Sequence, residues 1–214
     1  VDGLEFEARF CRIKYKGLTM GRKLNNDRSR CRLCHTPYQD RLKKKLQASN
    51  ILWENEWLQV LDDDGWTIYR HTGTNEGICI IVYRQSKSEK EILLRVENIP
   101  PHGGMVETSL TGTVEEGEDP LDTCVKELKE ESGYSASPSE FISLGHVFTS
   151  KASDFKLYLY AVDVTGKTPG DILGDGSEGE KGSSVKWVDE KAVCHVESSP
   201  AMAAGIARLN YKLG

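Results

Sequence analysis

Residues 112–134, GTVEEGEDPLDTCVKELKEESGY, place carboxylates at fixed offsets between two glycines. Glu127, Glu130 and Glu131 stand at i, i+3 and i+4, a spacing that gathers side chains on one face of a helix. Three like charges side by side repel, and a segment that needed only to be helical would mix the signs. A divalent cation relieves that repulsion. Hard cations such as Mg²⁺ take oxygen ligands and bind substrate phosphates. The pattern therefore predicts a helix that carries a metal site for phosphate chemistry; the bland alternative is an acidic, solvated helix. The local grammar agrees with a helix. Asp119-Pro120 reads as an N-cap followed by proline at the first helical position. Leu121, Val125 and Leu128 repeat as an apolar stripe, with the carboxylates expected on a different side. Gly133 reads as the C-cap, and Gly112 opens the loop into the helix, where a side chain would hinder a tight turn.

The order of these residues resembles the Nudix box: Gly, five residues, Glu, seven residues, then Arg-Glu-apolar-x-Glu-Glu-x-Gly-apolar. The matching positions are Gly112, Glu118, Lys126, Glu127, Leu128, Glu130, Glu131, Gly133 and Tyr134, with Lys126 where the family has Arg. The resemblance spans roughly residues 50–210 and implies an α+β fold, a mixed sheet between helices. It also implies hydrolysis of a nucleoside diphosphate linked to another group. Glu127 and Glu131 would be the central Mg²⁺ (or Mn²⁺) ligands, with Glu118 and Glu130 supporting further ions. Lys126 would pair with a box glutamate and hold it in register, although Lys offers a point charge where Arg offers a planar fork.

Within the family the chain looks most like the ADP-ribose pyrophosphatases, by its Trp-containing hairpin, Arg95 ahead of the box, and the acidic loop before VKWV. That group reads Glu-x-Pro-Ala-Gly into the box, whereas this chain reads Thr108-Ser109-Leu110-Thr111-Gly112. By this likeness Glu178 and Glu180 are candidate general bases on the late loop, the alternative being a flexible acidic surface loop. Arg95 is expected to face the diphosphate, and Gly112 to lie against the substrate. Trp53, Trp57 and Trp66 have three readings: stacking on an adenine, lining a dimer contact, or, as such aromatics most often do, filling the core. A homodimer is expected by analogy alone.

The charge is unevenly spread. Residues 1–48 hold 13 Lys/Arg against 5 Asp/Glu, a net of +8, while residues 49–214 carry −13. This predicts a basic N-terminal extension over 1–48 and a catalytic domain over 49–214. The extension, with Tyr15 and Tyr38 among its cations, suits an RNA backbone or docking on a ribonucleoprotein; a merely solvated charge run is the alternative. Cys31-Arg-Leu-Cys34-His35 reads as half a structural Zn²⁺ site, as a haem-attachment pattern, or as two free thiols, and these stay open. The six scattered cysteines do not form a secreted disulfide framework, so an intracellular setting, cytoplasmic or organellar, is expected. No run of about 18 apolar residues predicts a membrane span. The chain opens on Val1 rather than Met, so a tag or a processed leader is expected to be missing.

Periodicity predicts a strand with a bulge over 4–16, a short basic helix over 39–48, and a hairpin over 56–70 about an Asp-Gly turn. Further strands are expected at 77–84, 91–96, 105–111, 141–149, 155–163 and 185–188, with a Gly-rich loop over 166–184 and a closing helix over 199–211. The leading functional expectation is a Mg²⁺-dependent pyrophosphohydrolase acting on ADP-ribose or a related nucleoside diphosphate sugar. The alternatives are an RNA 5′-end hydrolase and a binding module within a ribonucleoprotein assembly.

Overall fold

The computed structural model describes residues 50–86, 89–172, 182–193 and 199–214, all within Ala48–Gly214, one of two units into which the chain divides. The expected strand over 4–16, the basic helix over 39–48, Cys31, Cys34, Glu178 and Glu180 lie outside the described residues.

Three strands, β1 (Asn50–Glu54), β2 (Leu58–Asp63) and β3 (Trp66–His71), form an antiparallel sheet in that order. The β2–β3 turn is the expected Asp-Gly. Asp64 and Gly65 both take positive φ, 50° and 82°, and Asp63 pairs with Trp66 directly across the turn. That two-residue geometry matches the twist of the flanking strands. The tryptophans of this region correct the core expectation: Trp53, Trp57 and Trp66 are 52%, 70% and 61% exposed. β1 is exposed throughout and β3 along most of its length, so among the described residues no second layer covers the aromatics.

The second sheet has seven strands. Its central path runs β10 (Ser184–Asp189), β5 (Glu89–Ile99), β4 (Glu76–Ser86), β9 (Lys156–Asp163), β8 (Phe141–Phe148). Two further strands attach to it, β6 (Gly104–Thr108) to β5 and β7 (Leu110–Thr113) to β4. Among the described strand pairings of this sheet β4–β9 is parallel and the others antiparallel, so the sheet is mixed. The single strand expected over 105–111 is thus two. At Ser109 the chain leaves β5 and takes up β4, because the ladder cannot follow both neighbours at once.

β4 is apolar throughout its middle, as expected for a strand covered on both faces. Its odd residues Cys79, Ile81 and Tyr83 pack with Met202 and Leu209 of α3 (Pro200–Leu213). Its even residues Ile78, Ile80 and Val82 pack with Cys124 and Leu128 of α1 (Pro120–Ser132). A one-turn helix, α2 (Glu190–Val193), follows β10. The result is a mixed sheet between helices, an α+β architecture. Among the described residues no helix is long and apolar enough to cross a membrane.

Candidate active site

The acidic helix forms as its sequence dictates. Asp119 caps it by accepting from the Leu121 N–H at 2.8 Å, and Pro120 occupies the first position, where a missing N–H costs nothing. Gly133 closes it in the left-handed region (φ 72°), its N–H donating to the Lys129 carbonyl at 3.0 Å. Gly133 also accepts from the Gly170 N–H at 2.9 Å, and a Cβ there would lie 2.3 Å from the Gly170 carbonyl oxygen.

The buried stripe of α1 differs from the one read off the sequence. It runs through Cys124, Leu128 and Glu131, with Leu121 packed at its start, while Val125 is only half-buried. These are positions i, i+4 and i+7, so the same face is apolar at its start and anionic at its end. Glu131 therefore does not lie on a separate, solvated side. It is 7% exposed, and where it meets the sheet it finds Arg95 of β5, itself 6% exposed. Nη1 of Arg95 is paired with Oε1 of Glu131, and its Nε lies 3.4 Å from Oε2 of Glu97. The expected diphosphate contact is thus a guanidinium turned onto two carboxylates. Breaking such a buried pair by removing one partner typically costs about 3–5 kcal/mol.

Glu127 is set from the other direction. Gly112, in β7 opposite Ile78, lies so close that a Cβ would stand 2.6 Å from Glu127 Cγ and 2.7 Å from its Oε1. The glycine is required here by close approach, and it makes room for the carboxylate. Glu118 accepts from the Glu115 N–H at 3.3 Å in the loop before the helix. Glu130 is 4.0 Å from Lys126, whose side chain is 58% exposed. Glu118 thus meets a backbone N–H and Glu130 a lysine, and like charges at these offsets repel. In consequence, no three His, Cys, Asp or Glu side chains converge as a ready metal cage among the described residues. The four-carboxylate cluster expected from the sequence is spread out in this arrangement.

Two observations nevertheless fit a cation. Oε2 of Glu131 is buried and has no hydrogen-bond partner, while Oε1 is committed to Arg95. A buried, unbonded carboxylate oxygen is costly unless something charged meets it. Gly112 leaves the space that Glu127, one turn earlier on the helix, occupies beside β7. Hard oxygen donors of this kind suit Mg²⁺ or Mn²⁺.

A second polar cluster steadies the loop. Glu76, at the start of β4, accepts from Lys156 Nζ at 3.2 Å and from the Tyr158 hydroxyl at 3.0 Å. The Glu76 carbonyl accepts from the Val114 N–H at 3.0 Å, where the box loop leaves β7. The two free thiols of the described residues are buried. Burial pushes Cys79 up to about 11, against a hydrogen bond with Ser109 that pulls it down. Burial also pushes Cys124 upward, reinforced by Cys79, Glu127 and Asp119. Neither is a thiolate at neutral pH.

Trp57 sits in the β1–β2 turn of the three-stranded sheet, where its backbone N–H donates to Asn55 Oδ1, whereas the box carboxylates lie on α1 and the loop before it. A cavity of about 500 Å³ opens beyond Gly133, between Lys129, Ser135, Lys167 and Asp171, and none of its lining residues is a box carboxylate. Glu97 and the pairing role of Arg95 were missed from the sequence. Arg95-x-Glu97 on a strand, with period two placing both on one face, was the available signal.

The NUDIX domain family matches residues 73–209, well over half of the chain. The chain belongs to the Nudix family. No curated protein matches it. Among solved structures it is similar to one titled as an ADP compounds hydrolase, at 14% identity and a TM-score of 0.53, covering 77% of this chain and 91% of that one. At that identity the likeness speaks to the fold. Glu127 and Glu131 lie on one helix, Glu127 beside Gly112 of β7 and Glu131 paired with Arg95 of β5.

Proposed function

We propose that this Nudix protein is a divalent-metal-dependent pyrophosphohydrolase. Its substrate class is a nucleoside diphosphate linked to a second group, with ADP-ribose or a related nucleoside diphosphate sugar as the leading candidate. The observation that carries the reading is the unbonded, buried Oε2 of Glu131, one helical turn from the cradled Glu127. The solved structure titled as an ADP compounds hydrolase shares the fold, and that title names a substrate class of the proposed kind for that protein.

In the reaction, water adds to one phosphorus and the bridging P–O bond breaks. The two products are phosphate monoesters, and the water's protons are shared between them and solvent. Bound Mg²⁺ or Mn²⁺ would neutralise the diphosphate and lower the pKa of the attacking water. Glu127 and Glu131 would hold it, with Glu118 and Glu130 within the same loop and helix for further ions. The chain's own contribution is positional. Arg95 orients Glu131, Gly112 leaves space for Glu127, and the Glu76–Lys156–Tyr158 cluster fixes the loop that precedes the helix. Glu178 or Glu180 is proposed as the base that takes the water's proton.

The test is a substrate panel with Mg²⁺: ADP-ribose, other nucleoside diphosphate sugars, NADH, dinucleoside polyphosphates, and capped or triphosphorylated RNA. Cleavage of a small diphosphate with RNA inert is the expected result. Cleavage of RNA ends alone would instead favour the second reading, an RNA 5′-end hydrolase, which the net +8 of residues 1–48 supports. Binding without turnover on any of them would leave the Nudix fold as a scaffold, with Zn²⁺ at Cys31 and Cys34 still testable by metal analysis.

A further inference from the structure

The box position that carries a cation in the sequence is Lys126, yet the structure gives that lysine little to hold. Its ammonium is 4.0 Å from Glu130, on a side chain 58% exposed. This is a screened, flexible surface contact of the kind that fixes no geometry. The rigid cation in the site comes from elsewhere in the chain. Arg95 projects from β5 with its side chain 7% exposed, one nitrogen on Glu131 and another on Glu97.

We infer that Arg95 is the positioning cation of the carboxylate site, fixing the orientation of Glu131 in the place of the box residue Lys126. Three features lead there. A guanidinium is planar and always charged, so two anchored nitrogens fix the plane of the group and, through it, the carboxylate it meets. Its hold falls on Oε1 alone, while Oε2 of the same carboxylate is buried and unbonded. One oxygen is thereby tied back and the other offered. Finally, Glu131 ends the buried stripe of α1, directly where that helix meets β5, whereas residue 126 lies on its exposed side. A longer cation at 126 would still approach from solvent; the strand approaches from the core.

The inference rests on the metal-dependent reading above, and its test separates the two. Mn²⁺ binding to the full chain is measured by calorimetry, without nucleotide. Partners behind a metal ligand typically matter by 10–100-fold in affinity, so Arg95→Lys is expected to weaken Mn²⁺ by about tenfold or more. The same variant should lower kcat while leaving KM for the diphosphate unchanged. Lys126→Met is expected to leave Mn²⁺ affinity within about twofold, as for a screened surface charge. The wild-type protein gives an independent readout by NMR, which stands even if Arg95→Lys does not fold. The Arg95 Nε–H signal should be protected from exchange and should shift on adding Mg²⁺ alone. If that signal responds only to nucleotide, or if Arg95→Lys raises KM with metal affinity intact, Arg95 is a substrate contact and the inference is overturned. Equal losses from Lys126→Met and Arg95→Lys would overturn it too. A wild-type chain that binds no Mn²⁺ would remove the metal-dependent function itself, and this inference with it.

Discussion

Gly112→Ala isolates the geometry of the site from the stability of the fold. Residue 112 lies within β7, paired with Ile78, so alanine meets no adverse backbone conformation. What it meets is Glu127. The new methyl would stand 2.6 Å from Cγ, 2.7 Å from Cδ and 2.7 Å from Oε1, where ordinary contact begins near 3.4 Å. The difference means that Glu127 must retreat by roughly 0.8 Å, or swing to another rotamer. Glu127 is a half-buried side chain on a helix surface and can move, so the overpacking cost should sit at the low end, about 1 kcal/mol. Catalysis is less tolerant, since a displacement of about 1 Å at a reacting centre can cost about a hundredfold in rate. The expected outcome is a urea midpoint close to wild type together with a loss of roughly a hundredfold in metal-dependent kcat/KM. The assays are chemical denaturation and steady-state hydrolysis of whichever diphosphate the panel identifies. Turnover within about threefold of wild type, in a variant whose fold is intact, would refute the claim that the Gly112 cradle sets Glu127 for the reaction.

Glu131→Gln removes the charge that meets Arg95 and that the proposed function gives to the metal, so Mg²⁺-dependent turnover should vanish; near-normal activity in a rate assay would exclude Glu131 as a ligand. Gly133→Ala combines a left-handed backbone (φ 72°) with a methyl 2.3 Å from the Gly170 oxygen, so denaturation should show a loss of about 3 kcal/mol. Glu140 is held down to about 2, first by its hydrogen bond from Lys167 and then by bonds from Ser137. Because that folded value is depressed, whatever this contact adds to stability is present above the ordinary carboxylate range and lost as pH falls toward 2. An NMR titration should place the Glu140 midpoint there, and Lys167→Met should move it back up; an unmoved midpoint would show that Lys167 is not the cause.

Local rules were enough for most elements. The Asp64-Gly65 turn, the Asp119-Pro120 start and the Gly133 stop each follow from conformational preferences of the residues named, and tertiary context left them in place. The even and odd residues of β4 contact opposite layers, as an unbroken apolar run suggests. Periodicity misplaced the α1 stripe because Val125 and Cys124 are adjacent and both apolar, so either completes the pattern; packing against β4 selects Cys124. The exposed tryptophans escaped for a related reason. An aromatic in an alternating strand says which face it shares and not whether anything covers that face. The Arg95–Glu131 pair is a contact between β5 and α1, distant in sequence, and no local rule reaches it. Its only trace was the Arg95-x-Glu97 spacing, which marks a shared face without naming the partner.

The change of strand partner at Ser109 ties the two holds on α1 together. Thr108 is the last residue of β6 and lies opposite Arg95, while Gly112 lies in β7 opposite Ile78. Between them the chain crosses from β5 to β4 at Ser109, which is buried and sits with its Oγ 3.1 Å from Cys79 Sγ. The strand that registers Arg95 against Glu131 and the strand that registers Gly112 against Glu127 are therefore one continuous segment, pinned at its crossing. Glu127 and Glu131 are four residues apart on a rigid helix, so their separation is fixed by helical geometry. The matching separation on the sheet side is fixed by where the crossing falls. A slip of one residue at Ser109 would turn Gly112 to the other face of β7, and a side-chain-bearing residue would then meet Glu127. The sheet thus sets the register of the carboxylates as firmly as the helix sets their spacing.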